Sequence, residues 1–500
     1  MPLFVVVTGA FAAILNNTMI NVGLPKLQVI FGVSTDQIQW VLTAFMLFSG
    51  MVIPVTGYLG RAFGVKRVYT VAVGFFALTS LLCAMAWSYG SLVAFRVLQG
   101  IAVGAIMPVS MTIIYQLVPP HRIGAALGVW GVSAMAAPAV GPTLGGYLVD
   151  HLGWHFLFLV NVPVGLFSAL LAYLLLPPFP AQGRNSFDRA GFLFSVAGLF
   201  LLLLGLSQGH REGWGSYYIV MVLTAGAFLL ALFVITELGR PDPMLNLRVL
   251  GHPVFALSVV VTTVMTVALF GAIFLMPLYC QLLRGYTPLQ TGLLLMPSAI
   301  ASALAMPLSG YLFDRYGPRY PAVVGALIAT VGSFYLASLD LNSSWRHIQV
   351  ITTFRGLGIG LAMMPVTTAG MNALPRQVAG EASAIVNTFR QVAASFGIAC
   401  LSTLLQDREA YHRLILAEGL GAGTPGAFAV ARVLSALGLG TATGTELLGR
   451  LVEQQAFVRA MQDTFLVAAW LGVVVVPLCF LVGGRGAPRP GAPVPTGRGE

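Results

Sequence analysis

The sequence of 500 residues carries very little charge. Asp, Glu, Lys and Arg make up 8% of it, whereas a soluble globular protein has roughly 25%. A soluble fold of this length could not cover its surface with so few charged groups. Hydrophobic residues reach 57%, and the mean hydropathy is +0.87. The composition therefore predicts an all-α integral membrane protein whose solvent is the lipid bilayer.

Several chemical signatures are also absent. The sequence has no G-x-S-x-G elbow, no P-loop and no His cluster with metal-ligand spacing, which argues against an enzyme, against ATP-driven transport and against a metal or other cofactor. Its four cysteines lie in apolar runs and are predicted to be packing residues, with no disulfide or zinc site. The basic residues are scattered, so the net charge of +10 does not indicate nucleic-acid binding.

Fourteen apolar runs are long enough to cross a bilayer, which takes roughly 20 residues. They lie near 4–22, 38–59, 68–87, 91–118, 124–149, 154–177, 190–207, 217–237, 254–278, 289–313, 321–339, 348–373, 380–405 and 462–483. An even number of spans places both termini on one side of the membrane.

The basic residues then indicate which side this is. Loops on the side of the termini hold fourteen of them: Arg61, Lys66, Arg67, Arg122, Arg184, Arg189, Arg240, Arg248, Arg315, Arg319, Arg376, Arg485, Arg489 and Arg498. The short loops on the other side hold Lys26, Arg211, Arg284 and Arg346. Because cytoplasmic loops are enriched in Lys and Arg, we predict a multi-pass protein of the inner (cytoplasmic) membrane with both termini in the cytoplasm.

An internal repeat predicts the architecture. The segment 54–59 (PVTGYL) recurs as 307–312 (PLSGYL), and the same gapless register pairs Gly32 with Gly285 and Gln37 with Gln290. We therefore predict two six-helix bundles, residues 1–180 and 251–484, with two linker transmembrane helices inserted at 181–250. The linker helices are expected to pack outside the central cavity.

Two segments are predicted not to cross the membrane. Residues 407–459 form a long outer loop that ends in an amphipathic stretch, with leucines at helical spacing near 445–453. We expect about 445–460 to be helical. Residues 485–500 are rich in Gly, Pro and Arg and are predicted to be a disordered cytoplasmic tail.

Several motifs, in order along the chain, resemble one family. Span 1 reads LNNTMINVGLP at 15–25, span 4 RVLQG at 96–100, span 5 GPTLGG at 141–146, span 6 WHFLF at 154–158 followed by NVPVG at 161–165, and the second half NTFRQ at 387–391. Together they resemble the fourteen-span drug:proton antiporters of the major facilitator superfamily, the EmrB/QacA type. The resemblance implies the major facilitator fold with two parallel six-helix halves and an exporter of amphipathic small molecules.

The matching motifs assign candidate residues. The substrate and coupling candidates are Asn16, Asn17, Asn21, Arg96, Gln99, Asn387, Arg390 and Gln391. The gating motif comprises Pro138, Gly141, Pro142, Gly145 and Gly146. The cytoplasmic loop motif comprises Gly57, Gly64, Lys66, Gly310, Asp314, Arg315, Gly317 and Arg319, with a charge clasp expected between spans 10 and 11.

Each assignment has a structural alternative. The glycines and prolines of the gating motif suit either a flexing gate or close packing of small residues, whereas Gly100 and Gly104 favour packing. Arg96, Arg355 and Arg390 lie inside apolar spans, where an isolated guanidinium is costly. The functional alternatives for these three arginines are contact with substrate or modulation of proton coupling, and the structural alternative is hydrogen bonding to helix carbonyl groups.

Two departures from the family bear on proton coupling. Asn16 occupies the span-1 position that is Asp in the family, and Gly60-Arg61-Ala62 replaces the usual Asp-Arg pair of the first loop motif. No acidic residue lies deep in a predicted span, so a proton carrier is expected at a span end, with Asp36 and Asp463 as candidates. Asn16 is alternatively a polar packing residue, with the substrate supplying the coupling charge.

Three functions are compatible with these observations. The first is export of drugs or other amphipathic molecules by proton antiport. The second is transport of one metabolite, by uniport or antiport, without a buried coupling acid. The third is a non-transporting membrane scaffold or sensor. For an exporter from a Gram-negative envelope, the outer loop is either a self-packed cap or the contact for a periplasmic adaptor protein.

Overall fold

The computed structural model describes residues 2–119, 122–179, 181, 188–240, 243–419 and 441–482. All regular elements in these ranges are helical, which confirms the predicted class. The α-helices are α1 (Pro2–Phe31), α2 (Thr35–Val52), α3 (Val55–Phe63), α4 (Val65–Ala84), α5 (Tyr89–Leu117), α6 (Ile123–His151), α7 (Phe156–Leu159), α8 (Asn161–Leu175), α9 (Arg189–Glu212), α10 (Tyr217–Gly239), α11 (Pro253–Leu278), α12 (Pro288–Tyr316), α13 (Arg319–Leu336), α14 (Trp345–Asn372), α15 (Ala379–Gly419) and α16 (Thr441–Val482). Short 3-10 turns lie at Leu247–Gly251 and Arg376–Val378, and a π-helical turn at Tyr279–Leu283.

The helices form because the sequence places stop and start signals between apolar runs. Ser34 and Gln37 build a reciprocal capping box at the start of α2, and Thr287 and Gln290 build the same box at the start of α12. Gly32 and Gly285 precede these boxes with φ of 63° and 64°, a left-handed conformation that glycine adopts at little cost. The repeat seen in the sequence is thus also present in the backbone at these two positions.

Twelve helices in the described ranges are long and apolar enough to cross a membrane. A bent pair, α2 and α3, makes a thirteenth span with a 55° break beside Pro54, and proline is a common cause of such kinks. The predicted run at 124–149 lies in the 29-residue helix α6, of which Ile123–Ser133 registers as a shorter apolar helix. The count of fourteen spans stays a prediction.

The segment 407–459, predicted as a long outer loop, is helical in its described parts, and this differs from the prediction at 407–419. Helix α15 continues to Gly419 and α16 begins at Thr441, so only 420–440 lies outside the described helices. The two helices have 41 and 42 residues, and at about 1.5 Å per residue each is roughly 60 Å long, twice a hydrocarbon core of about 30 Å. The polar side chains at 407–413 belong to the surface of a helix that extends past the apolar layer. The expectation that about 445–460 is helical is confirmed. The predicted tail at 485–500 lies outside the described residues.

We call α1–α8 the N-half, α11–α16 the C-half, and α9 with α10 the linker pair. We call the loop-motif end the end of the molecule at which residues 64, 118–119, 317 and 373–378 lie. Helix α9 contacts α2 and α15, and α10 packs on α9. The division into domains predicted from the sequence stays a prediction.

Helix crossings within and between the halves depend on glycine. A Cβ added at Gly104 of α5 would lie 2.3 Å from the carbonyl oxygen of Ser49 in α2, and one added at Gly310 of α12 would lie 2.1 Å from the carbonyl oxygen of Gly124 in α6. Backbones that approach this closely exclude any side chain at the crossing. The packing interpretation of Gly100 and Gly104 is therefore the one that the structure supports.

We expect Gly104→Ala to destabilise the protein by about 1–3 kcal/mol because the new methyl group overpacks the α2–α5 crossing. Gly74→Ala is the matched control, since the nearest atom to its Cβ would be 4.0 Å away. There the better helix propensity of Ala should leave stability unchanged or higher. Thermal unfolding of detergent-solubilised protein, followed by tryptophan fluorescence, measures both. Equal midpoints for the two variants would contradict the close crossing.

Candidate functional site

A buried polar network lies in the N-half around Asn16 of α1. Its side chain is fully buried, and Nδ2 donates to Gln99 Oε1 of α5 at 3.3 Å. Asn16 Oδ1 accepts a hydrogen bond of 3.1 Å from Asn161 Nδ2, which also donates to the carbonyl oxygen of Leu157. Gln99 Nε2 donates to Ser80 Oγ at 2.7 Å. Four helices, α1, α4, α5 and α8, are thus joined through side chains inside the bundle.

Arg96 is the charged member of this network. Its side chain is fully buried; Nη1 donates to Gln99 Oε1 at 2.6 Å and Nε donates to the carbonyl oxygen of Val41 at 2.9 Å. The guanidinium carbon lies 4.0 Å from the centre of the Phe45 ring, within cation–π distance. In this conformation Arg96 binds groups of its own bundle, which is the structural role considered in the sequence analysis.

Arg96 determines which atoms of the network donate hydrogen bonds and which accept them. A guanidinium only donates, so the oxygen of the Gln99 amide must face it and the nitrogen must face Ser80. Asn16 then has to present its nitrogen to Gln99 and its oxygen to Asn161. Sequence reasoning found Asn16, Arg96 and Gln99 but missed Ser80 as a partner. Asn161 had been noted only as part of a motif.

The other two asparagines of span 1 lie apart from this network. Asn17 is half-buried and Asn21, one helical turn later, is exposed. The Oδ1 atom of Asn17 is buried and has no hydrogen-bond partner in the described part of the chain. Residues four apart share a helix face, so α1 presents Asn17 and Asn21 on a different face from Asn16.

The C-half candidates lie apart from one another, with Asn387 near α5 and Gln391 beside α2. Asn387 is buried and donates to the carbonyl oxygen of Ser383 at 2.9 Å, and Ser383 Oγ donates across the halves to the carbonyl oxygen of Pro108 at 2.8 Å. Arg390 and Gln391 are half-buried. A Cβ added at Gly50 of α2 would lie 3.3 Å from Gln391 Cγ.

Arg355 is also held by its own half. Its Nε donates to Ser333 Oγ at 3.0 Å and its Nη2 to the carbonyl oxygen of Ala268 at 3.3 Å. Arg355, like Arg96, therefore has the structural role of binding groups within its own helix bundle in this conformation.

The gating motif packs directly on α1. A Cβ at Gly141 would lie 2.1 Å from Thr18 Oγ1, and a Cβ at Gly145 would lie 2.9 Å from the carbonyl oxygen of Met19. Gly146 has ordinary space, with its nearest atom 3.8 Å away. Helix α6 continues through Pro142 without a break, and the side chain of Pro138 lies outside the described residues. Close packing is the state seen here.

The loop motif joins the two halves. Asp314 accepts hydrogen bonds from the backbone N–H groups of Gly124 and Ala125, at 3.3 and 3.2 Å, in the first turn of α6. These hydrogen bonds join α12 to the N-half, because the α12–α6 crossing brings the end of α12 to the start of α6. The charge clasp expected between spans 10 and 11 stays a prediction. Gly57 packs against the backbone of Glu381 in α15.

The remaining loop-motif residues make local contacts. Gly64 and Gly317 have φ of 83° and 82°, a left-handed conformation that favours glycine in both turns. Lys66 Nζ donates to the carbonyl oxygen of Leu176. Arg315 Nη1 donates to Tyr311 Oη, and Arg319 stacks on the ring of Phe480 at 3.4 Å.

Three acidic residues that are not among the predicted site residues are buried. Asp188 and Glu237 of the linker pair are each 1% exposed, and Glu381 at the start of α15 is 3% exposed. Asp188 pairs with Arg240 Nη1 at 2.9 Å. Glu237 Oε2 accepts from the backbone N–H of Leu245 at 3.3 Å. A carboxyl at a predicted span end is a weak signal, and neighbouring helices decide whether it is buried.

The two predicted proton carriers fare differently. Asp463 lies within α16, where its Oδ2 is 2.9 Å from His412 Nε2 of α15 and 3.8 Å from Arg408 Nε. Its side chain is 37% exposed. The side chain of Asp36 lies outside the described residues.

Comparison with known proteins identifies the family. The model of the Major Facilitator Superfamily matches residues 6–398. The chain belongs to the major facilitator superfamily. Like other major facilitator proteins, it is a multi-pass membrane transporter for small-molecule substrates and not an enzyme.

Relatives in this superfamily bear out the resemblance seen in the motifs. The chain is 28% identical over 473 residues to the multidrug export protein EmrB of Haemophilus influenzae, covering 93% of this chain and 92% of EmrB. It is 36% identical over 423 residues to the uncharacterized MFS-type transporter YhcA of Bacillus subtilis, covering 85% of this chain and 80% of YhcA. The crystal structure of the human organic anion transporter MFSD10 has the same fold, with a TM-score of 0.61 at 13% identity over 94% of this chain and 98% of that one.

We expect Gln99→Leu to cost about 1.5–3 kcal/mol, the value of a hydrogen bond to a charged group, because Arg96 Nη1 and Asn16 Nδ2 lose their shared acceptor. Gln99→Glu keeps an acceptor at the same place and should retain wild-type stability. Folded yield by size-exclusion chromatography and the thermal midpoint in detergent measure the difference. If Gln99→Leu had the same thermal midpoint and folded yield as Gln99→Glu, Arg96 would have to bind another acceptor. The hydrogen bond to Gln99 would then not be what stabilises Arg96.

Proposed function

We propose that this major facilitator transporter exports drugs or other amphipathic small molecules across the cytoplasmic membrane in exchange for protons. The observation that carries the proposal is the similarity to EmrB along 93% of the chain. The residue types expected in such a binding site support it. Asn17, Asn21 and Gln391 place a few polar groups among apolar helices and remain partly or fully exposed.

The substrate class that we propose is neutral or anionic amphiphiles, in preference to lipophilic cations. The helices of the N-half carry Asp36 and Asp150 as their acidic residues, and both lie within two residues of a helix end. Arg96 adds a buried positive charge that contacts no carboxylate in the described network. The interior of the N-half therefore offers a cation no ion pair to offset the cost of its desolvation.

Asn16 contributes to this preference indirectly. It is fully buried and bound to Gln99 and Asn161, so in this conformation it does not touch a substrate. An asparagine cannot titrate, and it therefore leaves α1 without the acid that the resembling family carries at this position.

The expected orientation is that of a protein in the cytoplasmic membrane with the loop-motif end in the cytoplasm. Arg61, Lys66, Arg67, Arg319 and Arg376 all lie at this end, which supports the proposal through the positive-inside rule. The long α15–α16 extension lies at the opposite end. Its described parts contact each other through His412 and Asp463, which favours the self-packed cap over an adaptor contact.

A matched pair of one lipophilic cation and one lipophilic anion tests the substrate class. In proteoliposomes with an imposed pH gradient, we expect the anion to leave about tenfold faster, the ratio that roughly 1.4 kcal/mol produces. Asn16→Asp should move the ratio towards the cation and increase its pH sensitivity. The reason is that a carboxylate would face the oxygen of Gln99, and binding a proton relieves this opposition of two acceptors.

Asn342→Asp in an exposed loop is the matched control for the added charge. Gradient-driven export of the cation by the unmodified protein, faster than that of the anion, would contradict the proposed substrate class. Transport of one metabolite without response to the gradient would instead favour a metabolite carrier. If no candidate solute moved at all, a scaffold or sensor would be favoured.

A further inference from the structure

Beside the hydrogen bond from Arg376 to the carbonyl oxygen of Val118, two helix junctions join the halves at the loop-motif end, and the sequence repeat relates these two junctions. At one junction the end of α12 meets the start of α6; at the other the end of α3 meets the start of α15. The register that pairs Gly57 with Gly310 and Gly64 with Gly317 also pairs Arg61 with Asp314. Equivalent positions of the two halves therefore carry opposite charges.

The α12–α6 junction uses a carboxylate on a helix N-terminus. Asp314 accepts from the N–H groups of Gly124 and Ala125, the second and third residues of α6. The positive end of a helix dipole stabilises the ionised form of a carboxyl group placed there. This contact is expected to persist over a wide range of pH.

The α3–α15 junction has the opposite polarity. Arg61 cannot accept a hydrogen bond; its Nη1 donates to Glu381 Oε1, and Glu381 is the third residue of α15 just as Ala125 is the third residue of α6. At this junction the carboxyl group belongs to the facing helix, whereas at the α12–α6 junction it belongs to the loop motif. It pairs with a side chain and not with backbone N–H groups of the opposite half.

Glu381 is buried but incompletely bonded. It is 3% exposed, and its Oε2 atom has no hydrogen-bond partner in the described part of the chain. Glu381 lines a cavity of about 210 Å³ between the halves, together with Thr56, Thr112, Gln116 and Gln377. A cavity of this size that is partly lined by polar side chains has room for several water molecules, which are the usual route for a proton to a buried acid.

The charged groups around Glu381 are few. Arg61 faces it from α3. The other neighbours are neutral: Thr112 and Gln116 of α5, and the amide of Asn246 in the loop after α10. Asn246 forms no hydrogen bond of normal geometry with Oε2. Arg376, just before α15, is directed to the carbonyl oxygen of Val118.

The linker pair supplies the next acids. Asp188 is paired with Arg240, and Glu237 is bound to the backbone of Leu245. Neither contacts Glu381, so within the described residues Arg61 is the direct charge partner of Glu381.

Arg61 also forms hydrogen bonds that do not depend on the ionisation of Glu381. Its Nη2 donates to the carbonyl oxygens of Pro243 and Met244, each at 3.0 Å. When Glu381 becomes neutral, Arg61 keeps these two hydrogen bonds to the loop after α10. The guanidinium is therefore not stranded without partners when the halves separate.

We propose that Glu381 is the proton-binding group of this transporter, and that its protonation releases the Arg61 contact that holds the halves together at the loop-motif end. The inference rests on the proton antiport proposed above. The incoming proton adds to a carboxylate oxygen of Glu381 and gives a neutral acid, which ends the ion pair. When the end is open, the proton leaves to water, and the carboxylate pairs again with Arg61 as the halves close.

The sign of the pH dependence follows from this arrangement. The closed junction stabilises the ionised carboxylate through Arg61, so the closed state binds the proton more weakly than the open state. Lower pH therefore favours the open state at this end. For a single coupled proton the ratio of the two states changes by up to about tenfold per pH unit.

Distances between spin labels at the loop-motif end test the proposal. Cys400 is the exposed native cysteine among the four, so the background variant is Cys400→Ser. Labels are attached at Arg67→Cys of α4 and Tyr320→Cys of α13, both exposed at this end and in different halves. We expect the fraction of long distances to rise as pH falls. Glu381→Gln should show the long distances at every pH, because the amide cannot form the ion pair.

Two further variants separate this role from a loss of folding. Glu446→Gln makes the same change in an exposed ion pair with Arg450 and should leave the pH response unchanged. The double variant Arg61→Asp/Glu381→Ala rebuilds the Asp314 type of junction, and it should remain closed at all pH values tested. A wild-type pH response in Glu381→Gln, or short distances at every pH in that variant, would overturn the proposal.

Transport measurements distinguish this proposal from the proposed function. If the wild-type protein exports the test anion under a pH gradient and Glu381→Gln does so equally well, proton binding at Glu381 is wrong while the antiport stands. If the wild-type protein moves none of the test compounds but its label distances respond to pH through Glu381, the junction behaves as proposed and the exporter function is what fails. We expect at least a tenfold loss of gradient-driven efflux in Glu381→Gln.

Discussion

A buried guanidinium determines the interior of the N-half. In hydrocarbon no water is available, so each polar group that a helix carries inward must find its partner within the protein. Arg96 can only donate, and this fixes the orientation of Gln99, then of Asn16, then of Asn161. A single charged side chain thereby specifies how four helices are joined. It also explains why an asparagine suits position 16, because a carboxylate there would oppose the Gln99 oxygen that Arg96 requires.

The same requirement governs contacts between the halves. The repeat gives both halves nearly the same turns, with capping boxes at Ser34 and Thr287. The halves nevertheless differ at the loop-motif end, where Asp314 binds helix N–H groups and Arg61 binds an acidic side chain. A symmetric scaffold thus contains two junctions of different chemistry, one fixed by backbone dipoles and one dependent on the ionisation of a side chain.

Much of the fold could be predicted from the sequence, because long apolar runs and a repeated turn motif leave few alternatives. The helical continuation of α15 through 407–419 could not, since polar residues on a helix that extends past the membrane resemble a loop in a hydropathy pattern. Leucines at helical spacing, by contrast, did predict the helix near 445–460. The partners of Asn16 were also hidden: Ser80 is an ordinary small residue in its own helix. Glu381 lies at the start of the predicted span near 380–405, and its burial depends on Gly57 and Arg61, which are more than 300 positions away.

Helix α15 has one further property that follows from its length. It is continuous from Ala379 to Gly419, so the residue that pairs with Arg61 and the residues that contact Asp463 belong to one stiff rod. A tilt of about 10° around one end of a rod roughly 60 Å long moves the other end by about 10 Å. A sub-ångström change at the carboxyl group, if it tilts the helix, therefore produces a displacement larger than a side chain on the opposite face of the membrane. No intermediate element has to unfold for this to happen.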